Sequence, residues 1–183
     1  MRIKILCKTD FVELRKMIDE VNGVNGYIYS HETRCKGRIV SILPFRRTKD
    51  NKFEFLLRNE VTPPWGMETV VSSITGGIED EYSIEENATK ELFEEAGYEV
   101  VVPSLISLGT CRGTKSSDTI YHLFSTDLTN IRKTGSASGD GSELEKKANC
   151  EWKRIPEGED PLIHVMYLRL IRKLNKISNE GAI

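Results

Sequence analysis

The segment that most constrains the fold is residues 76–98, GGIEDEYSIEENATKELFEEAGY, because it specifies both ends of one helix. Ser83 and Glu86 have the spacing of a capping box, in which each side chain satisfies an unpaired backbone N–H group at the helix start. Gly97 readily takes the left-handed conformation that ends helices. The segment therefore predicts a glycine turn followed by a helix, whose inward-packing residues we expect to be Ala88, Leu92, Phe93 and Ala96.

Three glutamates of this helix share one face. Glu91, Glu94 and Glu95 stand at positions i, i+3 and i+4, so their carboxylates crowd together. Like charges at this spacing repel by a few tenths of a kcal/mol per exposed pair, and a divalent cation would reverse that repulsion. Glutamate-rich helix faces are more often solvated surface, so the spacing alone does not identify a metal site.

The combination of glycine turn, cap, glutamates and closing glycine resembles the Nudix box, G-x5-E-x7-R-E-U-x-E-E-x-G-U, where U is apolar. Gly76 matches the opening glycine without a gap, and the other matches are Glu91, Leu92, Glu94, Glu95, Gly97 and Tyr98. Two positions depart from the box. Tyr82 replaces its first glutamate and Lys90 replaces its arginine, which removes the bidentate guanidinium. We expect packing and one hydrogen bond, rather than an ion pair, to hold this loop, with Glu81 as the candidate substitute.

The resemblance implies the Nudix fold, an α/β/α sandwich with a mixed sheet. It also implies hydrolysis of the diphosphate bond in a nucleoside diphosphate linked to another moiety, with Mg²⁺ or Mn²⁺ as cofactor. Carried onto this chain, the implied metal ligands are Glu91, Glu94, Glu95 and the backbone carbonyl of Thr75. The candidate substrate contacts are Gly76 and Gly77 of the turn and Trp65 of the loop TPPWGMETV, although a tryptophan beside proline is more often packed against the protein.

The general base has two candidate sources. Residues 129–149 are poor in apolar side chains and predict a long loop, with Asp140, Glu143 and Glu145 as its carboxylates. Glu143 and Glu145 are the catalytic candidates from this loop, and a solvated charge run is the alternative explanation for both. Glu91 of the helix is the other candidate, acting directly or through a metal-bound water.

The rest of the chain predicts strands at 2–7, 27–31, 38–44, 52–58, 104–111, 119–126 and 150–155. The segment 38–44, nearly all apolar, is expected to be a central strand. Helical spacing of apolar residues predicts a helix over 10–21, capped by Thr9 or Asp10, and a terminal helix over 161–176. At 183 residues the chain suits a single domain, 1–183, with residues 1–36 as an extension and 37–176 as the catalytic core.

The composition of the chain limits the kinds of binding partner that we expect. The net charge is −2, with charges mixed along the chain and no long uncharged apolar span, so we expect neither nucleic acid nor a membrane as a partner. The four scattered cysteines are expected to be free thiols in the cytoplasm, not a zinc site. A homodimer is expected by resemblance to the nucleotide-sugar subgroup.

The substrate class is least determined. The segment TKSSDTIYHLFSTDL is similar to the corresponding part of ADP-ribose and nucleotide-sugar pyrophosphatases, so these compounds are the leading candidates. Thr114, Thr119 and Ser72 nevertheless replace the proline and the two acidic residues typical of that subgroup. Dinucleoside polyphosphates and oxidised nucleotides stay open. The alternative function is a Nudix-like nucleotide sensor that binds without efficient cleavage, which the changes at Tyr82 and Lys90 favour.

Overall fold

The computed structural model describes residues 1–135 and 143–180, apart from the side chains of Glu145 and residues 177–180. Over these residues the strands are β1 Arg2–Lys8, β2 Val12–Asp19, β3 Val24–Glu32, β4 Arg38–Ile42, β5 Phe45–Arg47, β6 Phe53–Val61, β7 Thr69–Ser72, β8 Ile74–Gly77, β9 Ile106–Cys111, β10 Ile120–Ser125 and β11 Asn149–Lys153. The α-helices are α1 Ile84–Ala96 and α2 Pro161–Glu180, with 3-10 turns at Val102–Ser104 and Glu145–Lys147.

The helix predicted over 10–21 is wrong, because these residues form β2 in the middle of an antiparallel sheet β1-β2-β3. Thr9 does cap a turn, but a β-turn: its hydroxyl accepts the backbone N–H groups of Phe11 and Val12 at 3.3 and 2.9 Å. Gly23, with φ of 70°, reverses the chain into β3. Sheet pairing along both edges of β2 therefore outweighs a local periodicity that suits a helix.

The predicted central strand and mixed sheet are confirmed. One four-stranded sheet has the order β8-β4-β10-β9, in which β4 and β10 are parallel and the other pairs antiparallel. A second sheet has the order β11-β6-β5, with β7 paired to β6. Because β8 is at the edge of the first sheet, its neighbouring loops are available to shape a surface cleft.

The two helices cover opposite faces of the sheets, which confirms the predicted α/β/α sandwich. Leu56 of β6 and Phe124 of β10 belong to a buried cluster with α1, whereas their neighbours Leu57 and Leu123 belong to a second cluster with α2. Since successive strand residues point to opposite faces, the clusters lie on opposite sides of the sheet. Within the described residues, no helix has the length and apolar character needed to cross a membrane.

Helix α1 forms as its end signals predict. Ser83 and Glu86 make both hydrogen bonds of the capping box, and Gly97 closes the helix with φ of 73°. Ala88, Leu92 and Ala96 are fully buried, but Phe93 is 42% exposed, which corrects its expected inward packing. The helix is therefore anchored by one narrow apolar stripe, and the glutamates flank that stripe.

Asp160 connects the start of α2 to the strand that leads into the glycine turn. Its carboxylate accepts the backbone N–H of Leu162 and that of Ser73, each at 2.9 Å. All three groups are buried or nearly so. The position of β8 is therefore coupled to the helix on the far face of the sheet.

Candidate functional site

The glycine turn, α1 and the β3–β4 turn enclose a cleft of about 810 Å³. Six of the predicted site residues line it: Thr75, Gly76, Gly77, Glu91, Glu94 and Glu95. Its other lining residues are Glu32, Arg34, Cys35, Lys36, Ile39, Ile78, Glu79, Asp80 and Glu81. Backbone from the edge strand and carboxylates from the helix thus meet in one concave surface.

Gly76 and Glu91 make the closest approach in this cleft. A Cβ atom built on Gly76 would lie 1.8 Å from the carboxyl carbon of Glu91 and 2.0 Å from its Oε1. Real atoms do not approach so closely, so any side chain at position 76 would displace Glu91 or the helix. The absence of a side chain at Gly76 makes room for the carboxylate of Glu91, which lies directly against the backbone of β8.

Glu95 lies deepest of the three glutamates and is held by a buried arginine that the sequence pattern did not indicate. Arg58 of β6 is 4% exposed, and its guanidinium forms an ion pair with Glu95. The same guanidinium contacts Glu60 at 3.0 Å, and Glu60 accepts the hydroxyl of Ser72 at 2.7 Å. The sequence signal for Arg58 was limited to a single arginine directly after the apolar residues of the strand FEFLLRNEV.

Burial disfavours the ionised form of the two inner glutamates, Glu91 and Glu95. Burial, reinforced by the charge of Glu94, raises the pKa of Glu91 to about 7. Burial also raises the pKa of Glu95 to about 8, with Arg58 opposing and Glu91 adding to this rise. Since these pKa values exceed the ordinary glutamate range, the ionised pair is unfavourable unless a further positive charge is present.

The chemistry of these donors fits a hard divalent cation. Mg²⁺ prefers a few carboxylates together with other oxygens. The second oxygen of Glu95, Oε2, is buried and has no hydrogen-bond partner within the described structure, so it is available as a ligand. As they stand, no three His, Cys, Asp or Glu of the described residues are grouped tightly enough to hold a metal. Glu95 is bound to Arg58, and Glu94 lies 3.9 Å from Lys90.

The two departures from the box form their own contact. Lys90 donates to Glu79 at 2.6 Å and lies over the ring of Tyr82, 5.6 Å from its centre. An ion pair therefore does hold the loop, which corrects the expectation of packing and one hydrogen bond. Its anion is Glu79, not the suggested Glu81, because the loop brings Glu79 to the lysine. Tyr82 adds a cation–π contact to that pair.

The remaining candidates lie away from the cleft or outside the described residues. Trp65 is 52% exposed in the loop between β6 and β7 and does not line the cleft. The Glu143 side chain is 85% exposed and pairs with Lys146. Asp140 and the Glu145 side chain lie outside the described residues. The predicted roles of Trp65, Glu143 and Glu145 therefore stay predictions, as does the homodimer. The four cysteines are free thiols, as expected.

Comparison with known proteins identifies the fold. No family model matches the sequence, and no curated protein matches it. Among solved structures, an ADP compounds hydrolase matches with a TM-score of 0.63 and 14% identity, over 100% of this chain and 95% of that one. A MutT/nudix family protein from Enterococcus faecalis matches with a TM-score of 0.50 and 12% identity, over 66% of this chain and 44% of that one. The chain has the fold of the Nudix hydrolases, and the resemblance read from residues 76–98 is confirmed at the level of fold.

The contact between Gly76 and Glu91 predicts the effect of one methyl group. Gly76→Ala should lower the free energy of unfolding by about 1–3 kcal/mol, because overpacking displaces Glu91. It should also abolish stabilisation by Mg²⁺ in thermal unfolding. Gly113→Ala is the control, since its added Cβ would first meet the Tyr121 side chain at 3.3 Å. A Gly76→Ala protein with the wild-type Mg²⁺ response would contradict this account.

The cation-free protein should lose stability as pH rises. Glu91 and Glu95 bind protons more tightly when folded, with pKa values of about 7 and about 8 against an ordinary 4.5. The free energy of unfolding in EDTA should therefore fall by on the order of a few kcal/mol between pH 4.5 and 8. Denaturant titration across that range measures it. Glu95→Gln should flatten the slope, and equal slopes in the two proteins would show that Glu95 is not responsible.

Proposed function

We propose that this protein hydrolyses the diphosphate bond of a nucleoside diphosphate linked to another moiety, using Mg²⁺ or Mn²⁺. The observation that carries the proposal is that one cleft is lined both by Glu91, Glu94 and Glu95 and by the Thr75–Gly77 backbone. An exposed glutamate stripe would need no glycine opposite it. Here Gly76 and Glu91 are sterically matched, which supports a built site over a solvated helix face.

The proposed ligands of the cation are the carboxylates of Glu91, Glu94 and Glu95 and the carbonyl of Thr75. When bound, Mg²⁺ or Mn²⁺ supplies neutralisation of the diphosphate charge and activation of a water molecule. Arg58 keeps the Glu95 carboxylate oriented from the sheet side, and Gly76 lets Glu91 lie against β8. Gly76 and Gly77 leave room for a phosphate group to approach the backbone of the turn.

Glu91 is the proposed general base. It lines the cleft and is largely enclosed there, whereas the described side chain of Glu143 is exposed and paired with Lys146. A base must come within hydrogen-bond reach of the water that it deprotonates, so position favours Glu91. The loop candidates Glu143 and Glu145 are kept as alternatives, to be tested with Glu91.

The proposed substrates are ADP-ribose-like compounds and nucleotide sugars. The sequence of residues 114–128 supports this class, as does the full-length likeness to an ADP compounds hydrolase. Ser72 stands where a glutamate is typical of the subgroup, but it donates a hydrogen bond to Glu60, so a carboxylate from the neighbouring strand occupies this region.

A nucleotide sensor is the second candidate function, and one observation favours it. Arg58 already neutralises one carboxylate oxygen of Glu95, which competes with a cation for that ligand. If the competition is strong, the cleft binds nucleotide with little turnover. The two functions differ in a direct way, since only the enzyme converts its ligand.

A panel of nucleoside diphosphate conjugates distinguishes them. With Mg²⁺, the protein should release a nucleoside monophosphate from at least one conjugate, detected by mass spectrometry. Glu95→Gln should abolish release and the Mg²⁺-dependent rise in melting temperature, because it removes a charged ligand. Glu68→Gln, in the loop before β7, is the matched control. Nucleotide binding without turnover on the whole panel would favour the sensor.

Three single variants locate the base once turnover is measured. Glu91→Gln should lower kcat by roughly 10²–10⁴, the usual contribution of a general base, and weaken Mg²⁺ binding as well. Glu143→Gln and Glu145→Gln should keep the wild-type kcat and Mg²⁺ affinity. Slower turnover with unchanged Mg²⁺ affinity in either loop variant would transfer the role of base to that residue.

A further inference from the structure

Two cations at the rim of the cleft share one carboxylate. Lys36 and Arg38 each form an ion pair with Asp80, one with each of its oxygens. Lys36 and Asp80 line the cleft, and Arg38 reaches it through Asp80. All three side chains are at least one third exposed, so solvent and solutes have access to them. The group carries an excess positive charge at the opening of an otherwise acidic site.

Lys36 has an unusual backbone conformation. Lys36 and Gly37 have φ values of 53° and 69°, and the N–H of Arg38 bonds to the carbonyl of Cys35 at 2.9 Å. This is a tight turn with two left-handed residues, a conformation that lysine rarely adopts. Strain of this kind is maintained where the surrounding structure requires a side chain in a given place. From this turn, the ammonium group of Lys36 forms its ion pair with Asp80 at the cleft.

The distribution of charge in the cleft distinguishes Lys36 and Arg38 from the other basic side chains near it. Among the described residues, its lining contains seven acidic side chains and two basic ones, Arg34 and Lys36. Arg34 is committed to Glu32, at 2.9 Å, and lies over the ring of Phe11. Lys90 is committed to Glu79 at 2.6 Å. A diphosphate therefore meets a predominantly acidic surface, except at Lys36 and Arg38, where two positive charges face one negative charge.

We propose that Lys36 and Arg38 form a phosphate clamp, and that Asp80 holds the two side chains until a phosphate of the ligand replaces it. The proposal rests on the proposed function and deepens it, because it assigns the binding of the phosphoryl group farther from Glu91, Glu94 and Glu95. Breaking the two ion pairs with Asp80 costs little free energy, because exposed ion pairs are weak. A phosphate carries more charge and more acceptor oxygens than Asp80, and arginine binds it through two parallel hydrogen bonds.

The proposal predicts effects of opposite sign for the two kinds of residue. Binding of ADP, measured by isothermal titration calorimetry in EDTA and in Mg²⁺, should tighten roughly twofold to fivefold in Asp80→Asn, because the competing carboxylate loses its charge. Lys36→Asn and Arg38→Gln should each weaken ADP binding roughly tenfold. Asparagine suits position 36 because it tolerates the left-handed conformation. Adenosine, which has no phosphate, should bind all variants equally.

Asp50 provides a matched control. It is also an exposed carboxylate shared by one lysine and one arginine, Lys52 at 3.0 Å and Arg154 at 3.7 Å, and it does not line the cleft. Asp50→Asn should leave ADP binding unchanged. Melting temperatures of all variants, measured in parallel, identify any loss of folding.

Several results would overturn the clamp. These are wild-type ADP binding in Lys36→Asn and Arg38→Gln, weaker or unchanged ADP binding in Asp80→Asn, or no measurable ADP binding to the wild-type protein. A higher Mg²⁺ requirement in Asp80→Asn would make Asp80 a cation ligand and likewise exclude the clamp. Absence of turnover would contradict the proposed enzyme but not the clamp, because ADP binding is measured independently of cleavage.

Discussion

The seating of α1 against the edge strand β8 determines the geometry of the whole site. Ala88, Leu92 and Ala96 bring the helix close to the sheet, and glycine at position 76 leaves room there for the Glu91 side chain. Had the helix stood a side chain farther away, Glu91 would extend into solvent and the cleft would open. The glutamates have their unusual environment because the apolar stripe beside them is narrow and made partly of alanine, which permits close packing.

That close packing imposes an electrostatic cost on the fold. Two carboxylates are buried next to each other, and their raised pKa values report how strongly the folded chain resists ionising both. Replacing such groups by apolar residues of similar volume would often stabilise a protein. Stability alone would not favour this arrangement, which supports the proposed cation site.

How much of this was predictable from sequence depends on whether the signal is local. The capping box and Gly97 act within one helix, so the bounds of α1 followed from them directly, and the site residues on α1 and β8 do lie together. The apolar periodicity of residues 10–21 was also a local signal, but the helix that it predicted does not form. Pairing with β1 and β3 determines the structure of these residues instead. Arg58 and Lys36 were missed, since their partners Glu95 and Asp80 lie 37 and 44 residues away along the chain.

Glu60 limits the competition between Arg58 and the proposed cation for Glu95. An arginine buried with a single anionic partner would be left with an uncompensated charge whenever that partner turned to a cation, which is strongly unfavourable. Arg58 has two such partners, because Glu60 contacts its Nε at 3.0 Å and is itself fixed by the hydroxyl of Ser72. The guanidinium of Arg58 therefore keeps the carboxylate of Glu60 beside it even when Glu95 binds a cation. Glu95 can exchange Arg58 for a cation without leaving the charge of Arg58 uncompensated. The same strand that supplies the core with Leu56 and Leu57 thus also supplies the charge balance of the site.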